Sequence, residues 1–181
     1  MEVIDLKLPG LKLIRPAVFG DARGFFLETY NAPRYAAAGI SATFVQDNHS
    51  RSVKDTLRGL HYQSQPGQAK LVRVIAGRIW DVAVDIRPSS STFGQWYGEE
   101  LDADRREQLF IPVGFAHGFC VLSETADVEY KVSTPYDGAT ECSLNYADPE
   151  LAIPWPVATP LLSARDKQGE PFAAFRARVR R

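Results

Sequence analysis

The sequence predicts an all-β protein, a jelly-roll barrel of short antiparallel strands with a few short peripheral helices. Three observations lead there. Twelve prolines and thirteen glycines cut the chain into short pieces, as turns do in an antiparallel fold. Apolar and polar residues alternate along many of those pieces, the period of a strand with two different faces. Helical periodicity is scarce.

Taken in order, strands are expected over residues 11–18 and 25–30. A short helix follows over 32–38, with Asn31 as its N-cap, Pro33 in its first turn and Gly39 as its stop. Further strands fit 43–50, 56–63 and 70–75, and Ala76-Gly77 reads as a hairpin turn into the clearest strand, 78–86. There Trp80, Val82, Val84 and Ile86 share one face, while Ile79, Asp81, Ala83 and Asp85 share the other. Strands at 95–101, 108–111, 117–122 and 128–133 complete the set, with a short turn near 102–106. Many short strands at near-regular spacing suit a sandwich or barrel. Beyond residue 149 the chain is Pro-rich and weakly periodic, so it is expected to wrap the barrel as irregular structure. Arg176, Arg178, Arg180 and Arg181 read as a solvated, disordered basic end. No repeat or low-complexity linker divides the chain, so residues 1–181 are expected to form a single domain with an N-terminal strand arm.

Composition limits the function classes. Lys plus Arg number 21 and Asp plus Glu 22, a balance that argues against nucleic acid or an anionic membrane as partner. No apolar run approaches the roughly 20 residues of a membrane helix, and Glu2, Asp5 and Lys7 interrupt the N-terminus where a secretory signal would be apolar. Cys120 and Cys142 are the only cysteines and form no CxxC pair. They cannot build a disulfide framework or a tetrahedral zinc site, and a reduced cytoplasmic protein is expected.

A barrel with an open mouth can hold one small ligand, so polar residues on otherwise buried faces carry the information. Alternation places Lys70 with Val72 and Val74, Tyr130 with Val128 and Val132, His117 with Phe119 and Val121, and Gln46 and Asn48 with Phe44. Each has a bland reading: a core tyrosine, a structural histidine, a snorkelling lysine, ladder amides. Their convergence on one cavity points to a polar ligand. In Arg58-Gly59-Leu60-His61, strict alternation would separate Arg58 from His61. A bulge at Gly59 would re-aim both. Histidine is the side chain best poised to move a proton near neutral pH, and it needs an acceptor to fix its tautomer; spacing alone does not name that acceptor. Only His49, His61 and His117 are available as imidazole metal ligands, and no HxH pair occurs, so no metal is expected. Arg23, Arg58 and Arg73 are candidate phosphate binders, with surface ion pairing as the alternative. Neither a P-loop nor GxGxxG is present, so side chains would have to hold a nucleotide.

Several blocks then resemble one family in order and spacing. They include Gly20-Asp21-Ala22-Arg23-Gly24-Phe25-Phe26-Leu27-Glu28-Thr29, Gln46-Asp47-Asn48-His49-Ser50 and Leu57-Arg58-Gly59-Leu60-His61-Tyr62-Gln63. Lys70-Leu71-Val72-Arg73-Val74, Pro112-Val113-Gly114-Phe115-Ala116-His117, Tyr130-Lys131 and Leu162-Ser163-Ala164-Arg165-Asp166 continue the series. Together these resemble the dTDP-4-dehydrorhamnose 3,5-epimerases, a metal-free branch of the cupins. Pro112-x-Gly114-x-x-His117 matches half of the second cupin motif, but Val121 stands where that motif has Asn, and the first motif's HxH is missing.

The resemblance implies a double-stranded β-helix, the cupin barrel, and no cofactor. It implies His61 as the carbon base, Asp166 as its orienting partner, Tyr130 as proton donor from the opposite face and Lys70 as the cation at the enolate oxygen. Arg23, Phe26, Glu28, Gln46, Asn48, Arg58, Arg73, His117, Tyr136, Glu141 and Lys167 would bind the nucleotide sugar, with Phe26 and Tyr136 against the base or sugar. It also implies a homodimer with exchanged N-terminal strands, the segment from Arg23 to Glu28 reaching a neighbour's site. The implied substrate is a dTDP-4-keto-6-deoxyhexose, inverted at C3 and C5 on the way to dTDP-L-rhamnose. Inversion of one centre alone, or nucleotide-sugar binding without catalysis, would use the same motifs.

Overall fold

The computed structural model describes residues 1–180. Thirteen strands occur among them: β1 (Glu2–Asp5), β2 (Lys12–Arg15), β3 (Val18–Asp21), β4 (Gly24–Leu27), β5 (Gln46–Val53), β6 (Leu57–Gln63), β7 (Lys70–Ala76), β8 (Arg78–Asp85), β9 (Trp96–Asp102), β10 (Gln108–Ile111), β11 (Phe115–Val121), β12 (Thr125–Val132) and β13 (Glu141–Ser143). Two short helices, α1 (Ala32–Ala37) and α2 (Phe172–Val179), and a 3-10 turn at Asp166–Gln168 accompany them.

The strands form a six-stranded sheet, β1-β2-β10-β7-β12-β5, a five-stranded sheet, β13-β6-β11-β8-β9, and a separate hairpin, β3-β4. The ladders within all three are antiparallel. This is the all-β, cupin-type architecture expected. The main core lies between the two large sheets, where Val72, Val74, Leu109 and Val128 from one meet Ile79, Ala83, Phe119 and Val121 from the other. Each of these side chains larger than alanine contributes roughly 1.5–3 kcal/mol by leaving water.

Strand β8 shows how alternation builds the layers. Ile79 and Ala83 enter the inter-sheet core, while Val82 and Val84 pack outward against Leu151, Phe172 and Phe175. On the far side, Leu71 and Phe110 pack under Tyr35 and Ile40. Helix α1 is held by the cap read from sequence: the Asn31 side chain accepts from the Arg34 N–H at 3.2 Å. The Tyr35 hydroxyl donates to Gln108 at 2.6 Å and pins the helix to β10.

Four expectations are corrected. Residues 76–77 do not close a hairpin, because β7 and β8 belong to different sheets. Gly77, at φ +77°, turns the chain across the sandwich instead. The strand expected over 11–18 is split at Pro16 into β2 and β3. Phe44 precedes β5 and packs on Tyr30, so it does not share a face with Gln46 and Asn48. The chain end is helical: α2 buries Phe172 and Phe175, Arg178 pairs with Glu170 at 2.7 Å, and Arg180 covers the Phe93 ring. Arg181 lies outside the described residues.

Candidate active site

A cavity of about 250 Å³ opens between the two large sheets. Gln46, Asn48, Lys70 and Tyr130 line it from the six-stranded sheet, Gln68 from the segment entering β7, His61, Gln63 and Glu141 from the five-stranded sheet, and Tyr136 from the segment after β12. A separate concavity of about 390 Å³ lies against the β3–β4 hairpin, apart from these groups.

His61 owes its place to a bulge. In the β6–β11 ladder His117 pairs with His61 and Phe119 with Arg58, so two residues of β6 face one of β11. Gly59 adopts φ +136°, and a Cβ there would meet the Gly118 Cα at 2.5 Å. Only glycine allows the two backbones so close.

The carboxylate behind His61 is Asp166. His61 Nε2 lies 2.6 Å from Asp166 Oδ1, across 105 positions of sequence. The Ser163 hydroxyl donates to Asp166 Oδ2 at 2.7 Å, and the Gly59 N–H donates to Oδ1 at 3.3 Å. Burial opposes ionisation of Asp166, but the bonds from His61, Ser163 and Gly59 outweigh it and bring its pKa down to about 2. An ionised Asp166 accepts a hydrogen bond from His61 Nε2–H, which leaves the lone pair of the neutral ring on Nδ1.

Lys70 is buried, and its ammonium makes one long contact, 3.5 Å to the His61 carbonyl. Burial lowers its pKa to about 8, against the upward pull of Asp81 and Glu141. His117 is also buried and lies 2.8 Å from Asp81 through Nε2. Desolvation, with Lys70 and His61 nearby, pushes its pKa down, while Asp81 pulls it up. Tyr130 stands on β12 beside Asn48 and Val72. Burial raises its pKa, the charge of Arg58 lowers it and Glu141 raises it, so the phenol stays protonated at neutral pH.

Some expected residues are not brought together within this chain. Arg23 is exposed and paired with Asp21, Phe26 projects from the hairpin, and Glu28 is bound to Arg34 at 2.8 Å. Arg73 faces away from the cavity and pairs with Glu129 at 3.2 Å. Lys167 is exposed on the 3-10 turn and does not line the cavity. Arg58 is exposed and does not line the cavity, its Nε donating to Ser52 at 3.0 Å.

Other residues emerge only in three dimensions. Arg165, which the sequence did not single out, pairs with Glu141 at 2.6 Å. Gln63 and Gln68 join the lining. Asp81, with no exposed surface, shares its β8 face with Ile79 and Ala83, and its pairing with His117 is the part the sequence does not show. Among the described residues no group of three or more His, Cys, Asp or Glu side chains is placed to hold a metal ion.

Residues 5–174 match the family model for dTDP-4-dehydrorhamnose 3,5-epimerase. A protein of that name from Shigella flexneri is 50% identical over 174 residues, covering 95% of this chain and 96% of its own. One from Neisseria gonorrhoeae is 51% identical over 96% of this chain, which spans about half (53%) of that longer protein. The crystal structure of the Legionella pneumophila epimerase RmlC in complex with dTDP-4-keto-L-rhamnose superimposes with a TM-score of 0.94 at 49% identity, covering 98% of this chain and 96% of that one. With the barrel, the ordered motifs and these relatives in agreement, the chain belongs to the dTDP-4-dehydrorhamnose 3,5-epimerase family.

Proposed function

We propose that the chain converts dTDP-4-dehydro-6-deoxy-D-glucose to dTDP-4-dehydro-L-rhamnose by inverting C3 and C5. One observation carries this: His61 on one sheet, backed by Asp166 from the 3-10 turn, and Tyr130 on the other line a single cavity that also holds the buried cation Lys70. The ligand of the Legionella relative is the product such a reaction would give.

The hydrogens on C3 and C5 lie alpha to the C4 ketone. His61 Nδ1 takes one of them as a proton; the C–H bond breaks and its electrons move onto the C4 oxygen. Asp166 stabilises the imidazolium that forms. Lys70 supplies positive charge where the enolate develops, and removing such a preorganised donor typically costs about 2.7–4 kcal/mol of barrier. The enolate electrons then return to carbon as the Tyr130 O–H proton is delivered from the opposite face, which inverts the centre. Solvent restores both groups before the second carbon reacts. Gln46, Asn48 and Glu141 contact the sugar or nucleotide, while Arg58 and Arg165 answer the diphosphate charge. The diphosphate provides binding energy remote from the reacting carbon.

A homodimer completes the reading. The β3–β4 hairpin leaves Phe19 65%, Phe25 57% and Phe26 69% exposed, and Arg23 and Glu28 sit on or just beyond it. A second copy of the chain would cover that surface and receive those side chains at its own cavity. We take residues 1–181 as one folded unit. The free thiols Cys120 and Cys142 suit the cytoplasm.

Product NMR after incubation with the 4-keto-6-deoxyglucose nucleotide in deuterated water tests this function. Deuterium at both inverted carbons is expected. Label at one carbon would mean a single-centre epimerase, and saturable binding without label a non-catalytic module.

A further inference from the structure

The segment after β12, residues 133–140, forms one lip of the cavity and carries Tyr136. Its backbone is held by glutamine side chains from three places. Gln68 Nε2 donates to the Thr134 carbonyl at 2.8 Å. Gln63 Nε2 donates to the Pro135 carbonyl at 3.3 Å. Gln46 Oε1 accepts from the Tyr136 N–H at 3.0 Å. Gln63 Oε1 accepts from the Asp137 N–H at 3.1 Å. Four successive residues are thus tied to side-chain amides, and Gln63 grips the chain on both sides of Tyr136.

Two facts give this arrangement consequence. Tyr136 is 59% exposed, so core packing does not fix its ring and the backbone that carries it must. Gln63 is 7% exposed with both ends of its carboxamide engaged by the loop. Its Oε1 accepts from both Asp137 and Gln68 and one Nε2 hydrogen goes to Pro135, which leaves a single N–H for a ligand.

We propose that Gln63 is a positioning residue, whose carboxamide clamps Pro135 and Asp137 so that Tyr136 is held in place as a wall for the nucleotide sugar. This rests on the epimerase reading above. Ordering the loop before binding removes that cost from the binding step. The clamp therefore acts on substrate affinity and leaves proton abstraction by His61, two positions earlier on β6, to the His61–Asp166 pair.

The test is Gln63→Met, which keeps the length and loses both polar ends, made in the wild-type and in the Tyr136→Ala background. Loss of two hydrogen bonds should raise KM roughly tenfold in the wild-type background, with a much smaller change in kcat. In the Tyr136→Ala background the rise should be under about twofold, because the residue being positioned is gone. Amide hydrogen exchange at Asp137 should quicken in Gln63→Met without any substrate present. An equal KM rise in both backgrounds would overturn the proposal, as would unchanged exchange at Asp137. If the wild-type protein turns nothing over, the epimerase reading fails, and the exchange measurement still decides the clamp. Should Gln63→Met melt too low to assay, Gln68→Met removes the bond to Thr134 and the long 3.4 Å contact to Gln63 while leaving both Gln63 bonds to the loop, and should give a smaller KM rise; no rise would count against the clamp.

Discussion

Lys70 is a cation that folding has taken out of water. Its pKa of about 8, against an ordinary 10.5, means that the folded protein binds it as an ammonium at some cost. Between pH 8 and 10.5 the unfolded chain holds this proton and the folded chain has released it, so the Lys70 contribution makes stability climb with pH there. Lys70→Met should therefore stabilise the protein at pH 7 by on the order of 1–3 kcal/mol while lowering kcat by about 10²–10³-fold; urea melts and steady-state rates check both. In the wild type, kcat should fall as pH rises through about 8, when the enolate loses its cation. A flat profile from pH 7 to 9 would contradict that role.

Asp166 also has a lowered pKa, but for an acid that shift means the charged form stabilises the fold. Its folded pKa of about 2 lies below the ordinary 3.8, so its stabilisation is complete above about pH 4 and is lost as pH falls toward 2. Asp166→Asn should remove about 2 kcal/mol of that acid-sensitive stability, seen as a flatter acid-unfolding curve, and should cost turnover as well. At this scale alternation made Lys70, Tyr130 and His117 legible as inward residues, because side-chain direction is set locally in a strand. Asp166 was reached only through resemblance. No local rule joins positions 61 and 166, and Arg165 was missed for the same reason.

Among the elements, β6 concentrates the most function in the fewest residues. It carries Arg58, the bulge at Gly59, His61 and the Gln63 clamp. Gly59→Ala would force a Cβ to 2.5 Å from the Gly118 backbone at a positive φ. We expect a loss of more than about 2 kcal/mol in stability and impaired turnover even where the variant still folds, measured by thermal melts and rates side by side. The bulge was legible because strict alternation would have parted Arg58 from His61. The turn at Ala76-Gly77 was misread because a tight hairpin and a crossing between sheets share the same local residues; only the partners of β7 and β8 tell them apart. Helix α2 escaped notice because only Phe172 and Phe175 along it are buried, and its arginines look like a solvated tail. Their partners Glu150, Glu170 and Tyr62 come from elsewhere in the chain.

In the whole molecule, two sheets act as opposite walls and supply chemically different groups: from one an imidazole, which a carboxylate on the 3-10 turn backs, and from the other a phenol and an ammonium. The fold class was readable from turns and alternation, but strand order was not, since it depends on pairings far apart in sequence. The hairpin β3–β4 leaves Phe19, Phe25 and Phe26 exposed, the surface on which the proposed dimer rests. Phe26→Asp should shift the protein toward monomer in sedimentation velocity and weaken nucleotide-sugar binding at least tenfold, as expected when a buried aromatic anchor is lost; a dimer of unchanged affinity would refute the exchanged-hairpin arrangement. The claim on which the mechanism turns is that His61 removes the proton and Tyr130 returns it from the far wall. NMR of solvent deuterium at C3 and C5 with His61→Ala and Tyr130→Phe tests it most directly. Exchange should vanish in His61→Ala, whereas in Tyr130→Phe exchange should outlast inversion. Deuterium entering both carbons of the His61→Ala sample at the wild-type rate would show that the base lies elsewhere.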